Sequence, residues 1–416
     1  MKIEKNLPFS LAEVNAEWLE YALRSNGHID KGTIKGLAIR QIGEEAGFLG
    51  LVAVLTPQYS DDAVSSTGCA PPASLVLKIP SPERSRIFGQ TMGVYEREIR
   101  FYSELKDRLG INAPVHYYSA VSEVDEPSAI PRRLSNFGRY PMWLMPLVGL
   151  IGLVRYGRRS RRYVLLIEDI SHLRLGDQQV ACSDDDLRKV LRAMAKFQAP
   201  FWASEPAREG LPWIGTLYDS AKLLHLWFLG SIRRYRKEMS GQLSARQEQL
   251  VDWVHKHGVQ LSQELGEQPR TLGHHDLRLD NVAFDDETGE AVLFDWQTLT
   301  FCSVGLEIAY FLSSALADDV SEDQVDALLD YYQSELSRHG AEVSRDYLRW
   351  SYEVGMLAML HRIISVLYQG QIELGDGRGP AVMRRWIRII FQRLETVEYE
   401  DIFGRRPRSE EHTSEL

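Results

Sequence analysis

Two acidic residues and a carboxamide, set at fixed intervals around a short hairpin, constrain this chain more than any other feature. The stretch His274-His275-Asp276-Leu277-Arg278-Leu279-Asp280-Asn281 runs into the apolar Val282-Ala283-Phe284. A polar turn, Asp285-Asp286-Glu287-Thr288-Gly289-Glu290, leads to Ala291-Val292-Leu293-Phe294 and then Asp295-Trp296-Gln297. Apolar runs on either side of a Gly-containing turn predict an antiparallel hairpin whose ends lie close together. Asn281 enters that hairpin and Asp295 leaves it, so both side chains are expected to reach one divalent ion. Asp276, five positions before Asn281, is the carboxylate that would take the proton of an attacking hydroxyl. Phosphoryl transfer needs these parts: a base to orient the hydroxyl, and oxygen ligands for the Mg2+ that neutralises the phosphates. Any one of these residues alone would be an ordinary acidic loop; their order and spacing carry the reading.

A chain of 416 residues is long enough for two lobes with proper cores. Its net charge of -10 argues against a general nucleic-acid role. The three cysteines, Cys69, Cys182 and Cys302, are far apart and form no C-x-x-C pair. That excludes a disulfide framework or zinc site as the organising device and fits a reducing cytoplasm. The N-terminus lacks the apolar core of a signal peptide. The last nine residues, 408–416, read like a translated sequencing adapter and are expected to be a non-native tail.

Along the chain, helical spacing over 11–25 stops at Asn26-Gly27, and strands are expected over 34–42, 51–55 and 75–80. The glycines of 43–50 would let a backbone approach a phosphate. Lys78 is a cation inside an apolar strand, and burying it is costly unless it is paired. A helix over about 91–105 places Val94, Glu98, Phe101 and Leu105 on one face, so Glu98 is the expected inward partner, with Glu96 on a more exposed side. The strand-like 115–121 is followed by Tyr163–Ile167, which runs into Glu168-Asp169-Ile170. This reads as a hinge whose backbone could hold a flat heterocycle such as adenine. From Ser171 the pattern turns helical. A capping-box-like Ser183-Asp184-Asp185-Asp186 opens one helix, and others are expected over 218–236, 245–265, 307–316, 322–338, 344–368 and 381–396.

These residues together resemble the aminoglycoside phosphotransferase and choline kinase-like superfamily, most of all its ecdysteroid kinase-like branch, from about Trp18 to Tyr368. The anchors are Lys78, Tyr95–Tyr102, Leu166–Asp169, His274–Asn281 and Phe294–Gln297. The resemblance implies an α+β, bilobal protein kinase-like fold with a small antiparallel-sheet N-lobe (1–170) and a large, mainly helical C-lobe (171–407). It implies Asp276 as the catalytic carboxylate, Asn281 and Asp295 as Mg2+ ligands, and Lys78, paired with Glu98, on the α- and β-phosphates of ATP. Glu168, Asp169 and Ile170 would form the hinge, and Arg278 would help neutralise the transferred phosphoryl group. The implied reaction moves a phosphoryl group from ATP to a hydroxyl of a small molecule, either an apolar, steroid-like alcohol or an antibiotic-like acceptor. Trp213, Trp227, Phe228, Trp350 and Tyr352 offer aromatic surface for it. Three positions depart from the family: His275 replaces a common glycine, Glu307 a common aspartate, and Gln198 a common histidine. His275 and Glu307, with the basic and apolar segment 131–162, keep a second reading open, a nucleotide-binding pseudokinase acting as an interaction module. A peptide kinase fits less well, because Asp295 is not followed by the glycine of D-F-G. Oligomeric state is not legible.

The segment 131–162 stands apart, with eight arginines and no acidic residue around the uncharged apolar run 142–154. Thirteen residues are too few to cross a bilayer core of about 30 Å, and Pro146 with two glycines would weaken a helix. Two readings remain: a peripheral loop touching lipid through 140–162, or an extension packed on the small lobe or in a dimer contact. The second is the ordinary expectation.

Overall fold

Strand and helix signals in the first half of the chain resolve into one sheet with helices on it, and those of the second half into a helical body carrying a hairpin. The computed structural model describes residues 1–42, 50–80, 84–157, 161–267, 269–367 and 378–407. The glycine-bearing loop 43–49, where a phosphate approach is expected, and the tail 408–416 lie outside them. Contacts divide the chain into two compact units. One comprises Met1–Arg108, Ala113–Glu126 and Gly149–Leu173; the other comprises Leu109–Asn112, Pro127–Val148 and Arg174–Leu416.

The first unit contains β1 (Lys2–Ile3), α1 (Ala16–Arg24), β2 (Ile34–Ile42), β3 (Gly50–Tyr59), β4 (Leu75–Pro80), α2 (Arg84–Met92), α3 (Val94–Arg100), α4 (Lys106–Leu109, whose last residue counts with the other unit), β5 (His116–Val121) and β6 (Tyr163–Glu168). The sheet order is β1-β5-β6-β4-β3-β2, antiparallel except for β1 along β5. Interior β6 is buried on both faces from Tyr163 to Ile167, which explains its unbroken apolar run. Asn15 caps α1 by accepting from Trp18 N. A nine-residue helix is marginal alone. Leu19, Ala22 and Leu23 anchor it in one core with Leu55, Leu77, Tyr118 and Leu166, and each buried leucine contributes roughly 1.5–3 kcal/mol. The helix expected over 91–105 is broken. Gly93, at φ +70°, separates α2 from α3, and Phe101–Leu105 forms a π-helical turn before α4.

The second unit contains α5 (Ala129–Gly138), the start of α6 (Met145–Gly157), β7 (Arg174–Leu175), α7 (Asp184–Gln198), α8 (Glu205–Glu209), α9 (Leu217–Glu238), α10 (Ala245–Glu264), β8 (Thr271–Gly273), β9 (Val282–Asp285), β10 (Glu290–Leu293), β11 (Thr300–Cys302), α11 (Val304–Ala315), α12 (Glu322–Arg338), α13 (Arg345–Leu367) and α14 (Arg378–Leu394). The arginine-rich segment 131–162, assigned to the N-lobe from sequence, is therefore divided between the two units, inside α6. Pro146 does not prevent that helix, because it occupies the first turn, where no intrahelical N–H bond is lost. Ser183 caps α7 by accepting from Asp186 N, but the capping box is incomplete: the Asp186 carboxylate turns to Arg174 and Lys189. Long α13 packs against α9, α10, α11 and α14. A Cβ on Gly305 would lie 2.2 Å from the Ser351 carbonyl carbon, so only glycine allows α11 and α13 to approach this closely.

Candidate active site

β8 pairs antiparallel with β11, with Gly273 opposite Thr300, and this fixes where the loop 274–281 begins. The expected hairpin forms from β9 and β10, with Val282 opposite Leu293. Phe294 N donates to Asn281 O at 3.2 Å, which closes the hairpin's open end and places Asp295 beside it. Asp295 itself adopts the left-handed conformation, φ +67°, a local cost of about 1 kcal/mol or more that the surrounding bonds must offset. His274 supplies several of them. Its Nδ1 accepts from Asp276 N at 3.3 Å and its Nε2 donates to Phe294 O at 3.0 Å, so one neutral tautomer satisfies both neighbours. Burial lowers its pKa and favours that neutral form. Thr298 Oγ1 donates to the His274 carbonyl at 2.8 Å, and Trp296 Nε1 to Leu293 O at 3.0 Å.

The Asp276 carboxylate is held from three sides. Tyr310 OH donates to Oδ1 at 2.6 Å, Asn281 Nδ2 to Oδ2 at 3.2 Å, and Arg278 Nε lies 3.9 Å from Oδ1. Asn281 Nδ2 also donates to the Asp276 carbonyl at 2.8 Å. Its Oδ1 accepts from no donor among the described residues and points the other end of the amide away from Asp276. Arg278 is shared. Its Nη1 bonds Asp280 Oδ2 at 3.1 Å, and Asp280 in turn accepts from Gln178 N at 2.8 Å and from Arg378. Burial works against the Arg278 charge, but Asp276, Asp280 and Asp295 outweigh it and raise the pKa. Asp276, Arg278, Asn281 and Asp295, singled out from sequence, thus converge in one loop-and-hairpin unit.

The family departures acquire structural reasons. His275 takes φ +62°, the backbone region that a glycine would fill without cost. Arg362, from α13, holds it there: Nη2 donates to the His275 carbonyl at 3.0 Å and Nη1 lies 2.9 Å from the ring Nε2. The same guanidinium sits 5.1 Å from the Tyr310 ring centre. Glu307 does not weaken the cap. Its Oε2 accepts from His274 N at 3.0 Å and its Oε1 from His275 N at 2.8 Å. Fully buried, it has its pKa pushed up to about 7, burial outweighing the two N–H donors. Gln198 bonds the backbone of β8 through Leu272 O and accepts from Tyr332 OH, a packing position behind the loop. Sequence reasoning missed Tyr310 and Arg362, because nothing near them in the chain signals their partners.

In the first unit, Lys78 Nζ meets Glu98 Oε1 at 2.6 Å, with Glu98 nearly buried. Glu96, expected on an exposed side, is only 4 % exposed and pairs with Arg100 at 3.2 Å. Arg161, from a distant segment, lies close enough to act on its charge. Glu168 turns back on the sheet: its N donates to Val115 O at 2.9 Å and its Oε2 accepts from Val115 N at 3.0 Å. Asp169 Oδ1 accepts from Ser171 N at 3.0 Å and Ile170 O from Leu173 N, forming the turn that follows β6. Of the aromatics expected to face an acceptor, Trp213, Phe228, Trp350 and Tyr352 are core residues.

The site's oxygen donors suit Mg2+. That ion keeps several waters and binds through one or two protein carboxylates or amides plus substrate phosphates, not through an all-protein cage. Asn281 and Asp295 carry oxygen donors of this kind.

Residues 216–344, which include the loop and hairpin, match the model of the ecdysteroid kinase-like family. Among solved structures, the chain is similar to a choline kinase from Cryptosporidium parvum Iowa II, with 12% identity, 91% of this chain and 95% of that chain covered, and a TM-score of 0.50. It is also similar to the choline kinase LicA from Streptococcus pneumoniae (13%, 90% and 97%, TM-score 0.44) and to an ADP-bound aminoglycoside phosphotransferase, APH(2'')-Ib (12%, 91% and 98%, TM-score 0.45). A comparison with curated protein sequences returns no match. The family resemblance read from the sequence therefore stands, and the fold is α+β and protein kinase-like.

Proposed function

We propose that this chain is an ATP- and Mg2+-dependent kinase that phosphorylates a hydroxyl of a small molecule. The observation that carries the reading is the convergence of Asp276, Asn281 and Asp295 at the open end of one hairpin, with Tyr310 and Asn281 both fixing the Asp276 carboxylate. Asp276 would accept the hydrogen bond, and then the proton, of the acceptor hydroxyl. Asn281 Oδ1 and the Asp295 carboxylate would hold Mg2+, which when bound offsets phosphate charge. Arg278, kept in place by Asp280, would face the transferred phosphoryl group. Lys78, oriented by Glu98, would contact the α- and β-phosphates, and 168–170 would lie along the adenine. One similar structure is a choline kinase and another an aminoglycoside phosphotransferase, and a hydroxyl-bearing small molecule is the chemistry common to both. The acceptor classes carried forward are an apolar, steroid-like alcohol or an antibiotic-like one; Trp213, Phe228, Trp350 and Tyr352 are core residues and supply no surface that selects between them.

Of the motives for the pseudokinase reading, the departures at His275 and Glu307 are accommodated by direct bonds to the loop, while the basic and apolar segment 131–162 still stands behind it. The test is a library of hydroxyl compounds, spanning steroids, amino sugars, macrolides and choline-like alcohols, assayed for phosphate incorporation from ATP. Transfer that needs Mg2+ and vanishes in Asp276→Ala supports the proposal. Transfer unchanged in that variant rejects it.

A further inference from the structure

Helix α6 presents its apolar side to solvent. Trp143, just before it, and Leu147, Leu150, Ile151 and Val154 are 49–79 % exposed. Their spacing of four, three, one and three residues puts them on a single helical face. Among the described residues of this run Met145 alone is fully buried, so it anchors the helix from beneath. Surface helices ordinarily bury such a stripe; a contiguous exposed one marks an interaction surface.

Charge identifies the occupant. Segment 131–162 holds eight arginines and no acidic residue in a chain whose net charge is -10. Arg132, Arg139 and Arg155, before and within the helix, are exposed. A second copy of this chain docking through the same face would bring two arginine sets together, which is repulsive. An anionic bilayer surface gives the opposite: headgroup phosphates for the arginines and an acyl boundary for the leucines, with the indole of Trp143 at the depth that suits it. The acidic remainder of the chain would be repelled by the same surface, so attachment has one orientation. Among the described residues no helix is long and apolar enough to cross a membrane.

We propose that α6 with its flanking arginines is a peripheral docking face for anionic lipid, lying in the plane of the interface. One apolar helix face and a few basic residues give reversible binding, since stable anchoring needs two strong signals. Cosedimentation of the full chain with vesicles tests this, comparing phosphatidylcholine alone with phosphatidylcholine containing roughly one-third phosphatidylserine. Wild type should pellet with the anionic vesicles only, and less as salt rises. Leu150→Glu with Ile151→Glu should lower the partition coefficient at least about tenfold, and each of Arg139→Ala and Arg155→Ala about fivefold. Far-UV circular dichroism and melting of these surface variants should match wild type. Equal partitioning of wild type and Leu150→Glu/Ile151→Glu overturns the proposal. So does concentration-dependent self-association, measured without vesicles and abolished by the same pair, because the face would then belong to a second copy.

Discussion

Tyr310 is the residue whose geometry says most about Asp276. Its hydroxyl donates at 2.6 Å, and burial together with the Asp276 charge raises its own pKa, so it remains a donor at every working pH. Tyr310→Phe removes one hydrogen bond and leaves the ring under Arg362. We expect phosphate transfer to fall about five- to tenfold, the worth of a net ~1 kcal/mol bond, with nucleotide affinity unchanged. Steady-state kinetics separates the two. Glu307 is less forgiving. Replacing it by glutamine turns an amide NH2 toward one of the two backbone N–H groups it now receives, at a cost of about 1–3 kcal/mol. A drop in melting temperature with parallel loss of transfer checks that. His275 shows what the sequence leaves out: it stands where a glycine is common, and Arg362, 87 positions away, holds the loop in the conformation glycine would take. Long-range partners of this kind have no local signal, whereas Asp276, Asn281 and Asp295 were legible because hairpin chemistry fixes their spacing.

Elements were readable where local chemistry decides them. Helix α12 forms over Glu322–Arg338, as periodicity predicts, because Ser321 and Gln324 complete a capping box. The β9–β10 hairpin is equally local. Reading failed where two ranges compete: Gly93 and the π-turn split a helix whose apolar spacing ran on, and Pro146 sits in a first turn instead of an interior. Close helix approach was invisible too. Gly305→Ala would force a methyl against the Ser351 backbone and should destabilise by about 1–3 kcal/mol or more. Gly230→Ala, in α9 with nothing within 4 Å, should stabilise by roughly 0.5–1 kcal/mol. Urea midpoints of the two variants, moving in opposite directions, test whether the contacts between α11 and α13 are as tight as they stand.

At the scale of the whole molecule, pH couples to stability through groups that pull in opposite senses. His225 and His361 stack in the core of the helical unit, Nδ1 to Nε2 at 3.1 Å, against Phe228 and near His255. Burial lowers their pKa values to about 4 and about 3 from 6.5. The unfolded chain therefore binds more protons below 6.5, and stability present above that pH is lost as pH falls toward 4. Glu307 acts oppositely: raised from 4.5 to about 7, it contributes fully below 4.5 and loses that contribution as pH rises through 7. Two histidines outweigh one carboxyl between pH 4.5 and 6.5, so the urea midpoint should fall on acidification. His225→Asn with His361→Asn should reduce that fall, with buried His116 and His274 supplying the remainder, and an unchanged slope would contradict the assignment.

The central claim is that one hairpin brings two oxygen-bearing side chains to a metal-nucleotide complex. Calorimetric titration of the full chain with ATP, with and without Mg2+, tests it most directly, using wild type, Asn281→Ala and Asp295→Asn. The account predicts Mg2+-enhanced binding in wild type that both substitutions reduce to the metal-free level. Binding that ignores Mg2+, or that survives both substitutions unchanged, would contradict it.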